Sequence, residues 1–307
     1  MANSLSGLTP TRIASAANIY LRRKSALLGR IRKELALEET MRGGTSIVIN
    51  KPSARRTPTA VSYTSPTTTD FTIPNITLNV TTHVEDRIKF NELESRTAEG
   101  NFATAFEYLF GPMLDGLAVK IDTDLTALYP SAGGQVGTGG SAITDAVVRE
   151  AIKTLAANDV LISADRVHFV THPNNYYTDI LGLAEYKLAL NTGSANPAIR
   201  TGNLGELYGV NFDWSNNIAA TTVSSVTSNH NLMFERDGFV IAFKKFEPAN
   251  KYGDPNVQED QVTDPMTGVN IRVQKAYDFE LRTWVWAMDV CYGVGVLDDS
   301  RIVEVLG

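Results

Sequence analysis

Two histidines four residues apart form the most metal-like pattern in this 307-residue sequence. On a helix, His168 and His172 would lie on the same face, as two zinc ligands must. The stretch around them, RVHFVTHP, instead alternates like a strand that ends at a proline, and the glutamate of the metalloprotease motif is missing. His83 and His230 have no recognisable partner in the sequence either. We therefore expect no metal site at the histidines.

Acidic residues offer two further candidates for chemistry. Asp122 and Asp124 would form a carboxylate pair, but two residues apart on a helix they face different sides, so we interpret them as part of a solvated helix face. Asp254, Asp260 and Asp264 lie in a polar stretch, where a calcium loop stays open as an alternative. Their spacing does not match the EF-hand pattern.

Neither a nucleophile nor a cofactor motif is recognisable. Cys291 is the single cysteine, which excludes an intrachain disulfide, and its apolar surroundings predict a buried structural thiol. The sequence has no Gly-x-Ser-x-Gly elbow and no dinucleotide fingerprint after a strand. The glycine run Ser131–Gly140 lacks the context of a phosphate loop, so we interpret it as a flexible linker at a domain boundary. We expect no enzymatic activity and no cofactor.

Two long rods in the first half of the chain are the elements that would position functional residues. From Ile76 to Phe90 apolar side chains recur at every second residue, which predicts one unusually long half-buried strand. From about Thr97 to Tyr129 they recur every three or four residues, which predicts a helix of about eight turns. Gly111 and Pro112 interrupt this helix, so we expect a kink or a break there, with Pro112 near the first position of the second part. Two separate core helices remain the alternative. Two such rods favour a thin subunit that packs against copies of itself.

The N-terminal part predicts a basic helical arm. Thr9 is a suitable N-cap and Pro10 a suitable first residue of a helix that runs to about Glu39. Residues 1–60 hold 11 basic and 3 acidic residues, although the whole chain has a net charge of −6. Such an arm contacts either a polyanion or the acidic body of a neighbouring copy, and the sequence does not separate the two. The basic contacts we expect are Arg22, Arg23, Lys24 and Arg30.

A second projection follows the arm. The pattern of residues 45–50 (TSIVIN) predicts a strand, and residues 51–70 are rich in Pro, Thr, Ser and Arg. With the long strand that follows, they predict a two-stranded arm with Lys51, Arg55 and Arg56 as its contacts to a neighbour. A disordered loop is the alternative. The chain has no apolar run long enough for a membrane span and no secretory signal pattern, so we expect an intracellular protein.

The remaining chain predicts an α/β section and returning strands. We expect a helix over residues 145–160, strands over 166–171 and 207–214, and a hairpin around residues 236–238. Strands within 269–305 should return to the first domain and pack against the long helix.

In the order of its predicted elements and in its local motifs, the chain resembles the HK97-fold major capsid proteins of tailed bacteriophages. The matching stretches are IDTDLTALY (121–129), DAVVREAIKTLAANDV (145–160), RVHFVTHPNNY (166–176), GNLGELYGVNFDWSNNI (202–218) and WAMDVCYGVGVLDDSRIVEV (286–305). The resemblance implies an α+β fold with five parts. They are an N-terminal arm (1–42), an E-loop (43–80), a P-domain with the spine helix (81–140), an A-domain (141–240) and strands that return to the P-domain (241–307).

The resemblance also implies a function. Family members assemble as hexamers and pentamers into an icosahedral shell around double-stranded DNA, which places this chain in the virion capsid, assembled in the host cytoplasm. Expected partners are other copies, a separate scaffolding protein, a portal and a decoration protein, with packaged DNA bound without sequence specificity and no membrane. Some members join subunits through a Lys–Asn bond; Lys51 lies near the right loop, but no partner asparagine aligns.

Two alternatives stay open. An encapsulin-type compartment would share the fold but hold protein cargo instead of DNA. An enzyme built on residues 141–240 would need a convergent polar site and would act as a monomer or small oligomer.

Overall fold

The computed structural model describes residues 9–34, 45–51, 73–91, 106–183, 205–246, 257–264 and 268–307. Its α- and π-helices are α1 (Pro10–Lys24), a π-helical segment (Phe106–Phe110), α2 (Gly111–Thr126), α3 (Asp145–Ala157) and α4 (Pro173–Thr178), and short 3-10 helices span Tyr129–Ser131, Ile180–Gly182 and Asp299–Arg301. Its first strands are β1 (Arg32–Glu34), β2 (Ser46–Asn50), β3 (Asn75–Asn79), β4 (Thr82–Asn91), β5 (Gly134–Gly137), β6 (Val167–Thr171), β7 (Gly205–Leu207) and β8 (Val210–Trp214). The others are β9 (Ala220–Val223), β10 (Val226–Glu235), β11 (Phe239–Lys244), β12 (Gln258–Thr263), β13 (Asn270–Asp278), β14 (Thr283–Val296) and β15 (Ile302–Leu306).

The first sheet is organised around β14. Its strand order is β1-β11-β14-β13-β12, and β4 pairs antiparallel with β14 from Asn91 to Thr82. α1 and α2 cover this sheet because their apolar stripes face it. Residues of the shared core include Ile13, Leu21, Met113, Leu117, Ile121, Trp286 and Met288. Of the returning strands, β14 packs against α2 as predicted, whereas β13 packs against α1.

The predicted long strand is present as two strands with different partners. β3 pairs with β2 in a two-stranded sheet, whereas β4 pairs with β14. Leu78, Val80 and Phe90 are buried while their neighbours in sequence are exposed, so the predicted alternation holds across the break. The strand divides at Val80 and Thr81 because the chain changes pairing partner there.

The second sheet has the order β5-β15-β10-β6-β8-β7, with β9 paired to β10. Successive side chains of β10 enter different cores: Met233 packs with the residues under α3 and α4, whereas Leu232 and Phe234 belong to the core of the first sheet. Because side chains alternate along a strand, this sheet joins the two cores. The helix and strands predicted for the α/β section are confirmed as α3, β6 and β8.

Two predicted connections are wrong. The strands around residues 236–238 form no hairpin, because β10 lies in the second sheet and β11 in the first. The last strand, β15, likewise joins the second sheet, between β5 and β10, rather than returning to the first. The two crossings lie side by side, since the amide of Leu297 donates to the carbonyl of Gly238 at 2.8 Å.

The first helix is shorter than predicted. Its cap is correct, since the Thr9 side chain accepts a hydrogen bond from the amide of Arg12. α1 nevertheless ends at Lys24, and β1 then pairs in parallel with β11. Ser25 donates to Asp122 at 2.5 Å and the Ala26 amide donates to the same carboxylate at 3.0 Å, which directs the chain away from the helix.

The glycine run is not a free linker. Gly134–Gly137 forms β5, which pairs in parallel with β15. A Cβ on Gly139 would lie 2.0 Å from the Ser228 hydroxyl, so this part of the run packs directly against β10. Its glycines are needed for close approach rather than for flexibility.

Candidate functional site

The base of the hairpin formed by β2 and β3 rests on the back of the first sheet. Its inner face consists of Ile47, Ile49, Leu78 and Val80, and these side chains pack on Val240, Ala242, Cys291 and Leu297. The outer face is polar apart from Val48, whose side chain is 62% exposed. The hairpin is therefore fixed to the body of the subunit at one end.

Two glycines of β14 make this contact possible. A Cβ on Gly293 would lie 2.1 Å from the carbonyl oxygen of Asn79, and one on Gly295 would lie 2.9 Å from Leu78 Cδ1. Any side chain at position 293 would push the hairpin off the sheet. The sequence contains a signal for this approach, because two glycines at alternate positions interrupt an otherwise apolar strand.

Lys51 lies where the chain leaves the hairpin. Its Nζ is 3.2 Å from Asp298 Oδ1 and 3.6 Å from Asp299 Oδ1. Burial would raise the pKa of Asp298, but hydrogen bonds from Ser300, Lys51 and Arg301 together hold it below its ordinary value. In the single chain Lys51 is therefore an anchor of the hairpin base. Its predicted contact to a neighbour remains a prediction.

The other predicted contacts of this arm, Arg55 and Arg56, lie outside the described residues, as does Asp254. Arg22, Arg23 and Lys24 form the last turn of α1, and their side chains are likewise not described.

Arg30 contacts the second sheet. Its guanidinium is 2.6 Å from Asp213 Oδ2, and both side chains are about three-quarters buried. Burial is the main reason why the pKa of the neighbouring His168 falls to about 4, and the positive charges of Arg30 and Arg236 lower it further. His168 is therefore neutral at pH 7. Arg30 joins the N-terminal segment to the body of its own chain.

At Gly111 and Pro112 a π-helix is followed directly by an α-helix, and the kink expected there remains a prediction. A π-helix ends at Phe110, α2 begins at Gly111, and Pro112 lies in its first turn, where its missing amide hydrogen leaves no bond unmade. A Cβ on Gly111 would lie 3.5 Å from the Tyr20 hydroxyl, an ordinary contact. The part of the predicted helix before Phe106 lies outside the described residues.

The two spaced histidines do not share a helix face. His168 lies buried in β6, whereas His172 caps α4, its Nδ1 accepting from the Asn174 amide at 3.3 Å. Among the described residues, no cluster of three or more His, Cys, Asp or Glu side chains is placed to hold a metal ion. Asp260, from the calcium hypothesis, instead accepts a hydrogen bond from Thr11.

Two histidine–carboxylate pairs were not expected from the sequence. His83 Nε2 is 2.8 Å from Asp289 Oδ2, and Asp289 also pairs with Arg272. His230 bonds through Nδ1 to Glu304 and stacks on Tyr129 with ring centroids 3.8 Å apart. No local pattern could have revealed these pairs, because their members lie on different strands.

Asp122 is not on a solvated face, contrary to the prediction. It is 1% exposed, and burial raises the pKa of its carboxyl despite the hydrogen bonds that it accepts from Ser25 and Ala26. Asp124 accepts from Lys120 at 2.5 Å and from the Tyr292 hydroxyl at 2.7 Å. Both carboxylates therefore join helix α2 to other elements.

The predicted structural role of Cys291 is confirmed. Its side chain is buried beneath the hairpin, and burial raises the pKa of the thiol. The α/β section has a polar cleft of about 240 Å³ beside α4. Its lining residues include no histidine, cysteine or lysine, and Asn175 bonds to Asp179 and Asn229 within it. The one acidic side chain of this cleft, Asp179, accepts hydrogen bonds from the Ile143 amide, Asn175 and Thr178.

Two hairpin tips present apolar side chains to the outside. Phe279 and Leu281, between β13 and β14, are 78% and 61% exposed. Val223, the last residue of β9, and Val226, the first residue of β10, are 71% and 48% exposed. The Asp278 carboxylate accepts from the amides of residues 280 and 281 and so fixes the first tip. Within the described part of the chain, no helix is long and apolar enough to cross a membrane.

Comparisons with known proteins identify the fold. No family model and no curated protein sequence matches the chain. The capsid of Ralstonia phage GP4 aligns with a TM-score of 0.62 at 13% identity, covering 93% of this chain and 91% of that one. A structure from Mycobacterium phage Che8 aligns with 0.59 at 15% identity, covering 91% and 89%. A virus-like particle from Pyrococcus furiosus aligns with 0.50 at 9% identity, covering 96% and 98%. The chain therefore has the HK97-like α+β fold of phage capsid proteins.

Proposed function

We propose that this chain is the major capsid protein of a tailed bacteriophage. In this proposal, hexamers and pentamers of the chain close into an icosahedral shell around double-stranded DNA. The supporting observation is that the likeness to capsid structures extends over about nine-tenths of both chains, as in the Ralstonia phage GP4 capsid. A likeness limited to one domain would fit a protein of another function equally well.

The mechanism that we propose is geometric. The base of the hairpin is fixed to the first sheet, so the part of the chain that would reach a neighbouring subunit starts from a fixed position at Lys51. Arg55 and Arg56 would then lie on the acidic surface of a neighbouring subunit. Each exposed ion pair contributes about 0–1 kcal/mol, but a closed shell makes many contacts at once, and simultaneous contacts strengthen one another.

The basic arm and the domain division belong to the same proposal. Arg22, Arg23 and Lys24 at the end of α1 would contact a neighbouring copy or the packaged DNA. Residues 43–80 would act as the E-loop, 81–140 as the P-domain and 141–240 as the A-domain, with residues 1–42 as the arm. A scaffolding protein, a portal and a decoration protein would be the further partners, and assembly would take place in the host cytoplasm.

An encapsulin-type compartment is the second candidate. The observation behind it is that a virus-like particle from Pyrococcus furiosus shares the fold over 98% of its own chain. The two candidates differ in what the shell encloses.

The contents of the assembled shell test this proposal. Particles would be purified from cells that express the chain, treated with nuclease and protease, and then opened. Nuclease-protected double-stranded DNA in particles from infected or induced cells is the expected result. Shells that repeatedly contain one host protein and no DNA would contradict the phage assignment and support the compartment.

A further inference from the structure

Five charged side chains form a continuous chain of ion pairs from the hairpin base to the second sheet. Lys51 Nζ is 3.2 Å from Asp298 Oδ1, and Arg301 Nε is 3.1 Å from Asp298 Oδ2. Glu235 contacts both Arg301 and Arg166. We call this set the ion-pair chain. Its charges alternate in sign, and each of its two carboxylates is shared by two cations.

The ion-pair chain lies where the polypeptide crosses between the sheets. Glu235 is the last residue of β10, just before the crossing to β11. Asp298 and Arg301 lie in the crossing from β14 to β15, and Arg166 immediately precedes β6. Lys51 directly follows β2 at the hairpin base. The five side chains thus connect the hairpin, the first sheet and the second sheet at one place.

The inner members are shielded from water. Glu235 is 1% exposed and Asp298 is 8% exposed, so their interactions are screened less than those of surface pairs. Burial opposes the charge of Arg301, but Glu235 and Asp298 raise the pKa of its guanidinium. Because the pKa of Asp298 is lowered and that of Arg301 is raised, both side chains are charged at neutral pH.

We propose that the ion-pair chain couples the hairpin to the second sheet, with effects that alternate in sign. Removing the charge of Glu235 leaves Asp298 as the one carboxylate of the ion-pair chain beside Arg301, so Arg301 competes more strongly with Lys51 for Asp298 and the hairpin base loosens. Removing the charge of Arg166 leaves Arg301 as the one partner of Glu235 within the ion-pair chain. Arg301 is then drawn toward Glu235, Asp298 is freed for Lys51 and the hairpin base tightens. A set of independent pairs would give no such reversal. In an assembled shell, a displacement of the second sheet would change how firmly the hairpin is held. This consequence rests on the proposed function.

Hydrogen exchange of the hairpin amides tests the coupling in the purified, unassembled full chain. The reporters are the amides of Lys51 and Val80, which donate to the carbonyls of Pro74 and Thr45 at 2.8 and 2.7 Å. We expect Glu235→Gln to speed their exchange about threefold or more and Arg166→Gln to slow it about twofold. Arg149→Gln is the matched control, because Arg149 is exposed on α3 and pairs with Asp145; it should change neither amide.

A double variant checks that the effect passes through Lys51. In a Lys51→Met background, Arg166→Gln and Glu235→Gln should produce no further change at Val80. Arg166 is about half exposed, so we expect Arg166→Gln to keep the fold. If Glu235→Gln does not fold, Arg166→Gln by itself still tests the proposal. Unchanged or faster exchange in Arg166→Gln would overturn the coupling. Because no assembly is needed, a chain that forms no shells can still pass or fail this test.

Discussion

The carbonyl oxygen of Asn79 occupies the space that a side chain on Gly293 would need, 2.1 Å from the ideal Cβ position. The end of the hairpin therefore lies directly on the backbone of the central strand of the first sheet. This contact fixes the hairpin base, from which the proposed inter-subunit arm extends.

Replacing this glycine should detach the hairpin. We expect Gly293→Ala to lower the free energy of unfolding by about 2–4 kcal/mol, because the clash is with backbone and the hairpin must move as a unit. Urea unfolding measures the loss, and hydrogen exchange of Val80 locates it.

Gly116→Ala is the matched control. Nothing lies within 4 Å of a Cβ there, and the residue is exposed within α2, so alanine should stabilise the chain by about 0.5–1 kcal/mol. Equal stability changes in the two variants would contradict the close approach at Gly293.

The buried carboxylate of Asp122 should be important for stability. Asp122→Asn keeps the volume but cannot accept from both the Ser25 hydroxyl and the Ala26 amide, so we expect a loss of about 1–3 kcal/mol. Glu150→Gln on the exposed face of α3 should cost less than about 0.5 kcal/mol. Urea unfolding of both variants at pH 7 makes the comparison; a loss at Asp122 no larger than that at Glu150 would show that this contact does not hold the segment after α1.

His168 predicts a pH dependence of stability. Its folded pKa of about 4 lies below the ordinary value of 6.5, so the unfolded chain binds this proton more readily. The resulting stability is present above about pH 6.5 and is lost as the pH falls toward 4, by up to about 3 kcal/mol. Unfolding free energies at several pH values in this window should show a shallower loss for His168→Gln than for the unchanged chain.

His172→Asn supplies the comparison, since asparagine can replace the cap of α4. Burial lowers the pKa of His172 too, but this side chain is less buried, so we expect a smaller change in the pH dependence. Identical pH profiles for the His168 variant and the unchanged chain would rule out a neutral buried imidazole at this site.

The charges at positions 55 and 56 should matter for assembly rather than for folding. We expect Arg55→Glu with Arg56→Glu to leave the thermal unfolding temperature unchanged but to prevent closed shells, because the reversed charges repel an acidic neighbour. Arg149→Glu with Lys153→Glu makes the same charge change on exposed α3. Electron microscopy of both double variants distinguishes them: normal shells from the Arg55/Arg56 variant would refute the arm contact.

Local sequence patterns correctly predicted the features that depend on residues close together in the sequence. Thr9 and Pro10 begin α1 as expected, and the apolar surroundings of Cys291 correctly indicated a buried thiol. Pairing partners were beyond such patterns. The turn at residues 236–238 has the composition of a hairpin, yet only the tertiary structure decides that its two strands enter different sheets.

Long-range contacts account for the other differences. Ser25 ends the first helix because Asp122, 97 residues later, accepts its hydrogen bond. His230 and Glu304 are 74 residues apart and meet only because β10 and β15 are neighbours. The candidate site also depends on long-range contacts. The sequence indicated a projecting arm, but it did not indicate the glycines and ion pairs that hold the base of that arm.

Assembly of the purified chain is the most direct test of the proposed function. Negative-stain electron microscopy and light scattering would be recorded with and without a co-expressed scaffolding protein. We expect rings of subunits that close into shells tens of nanometres across when scaffold is present. A chain that stays a stable 33.5 kDa monomer under every assembly condition would contradict the capsid proposal and return attention to the α/β section.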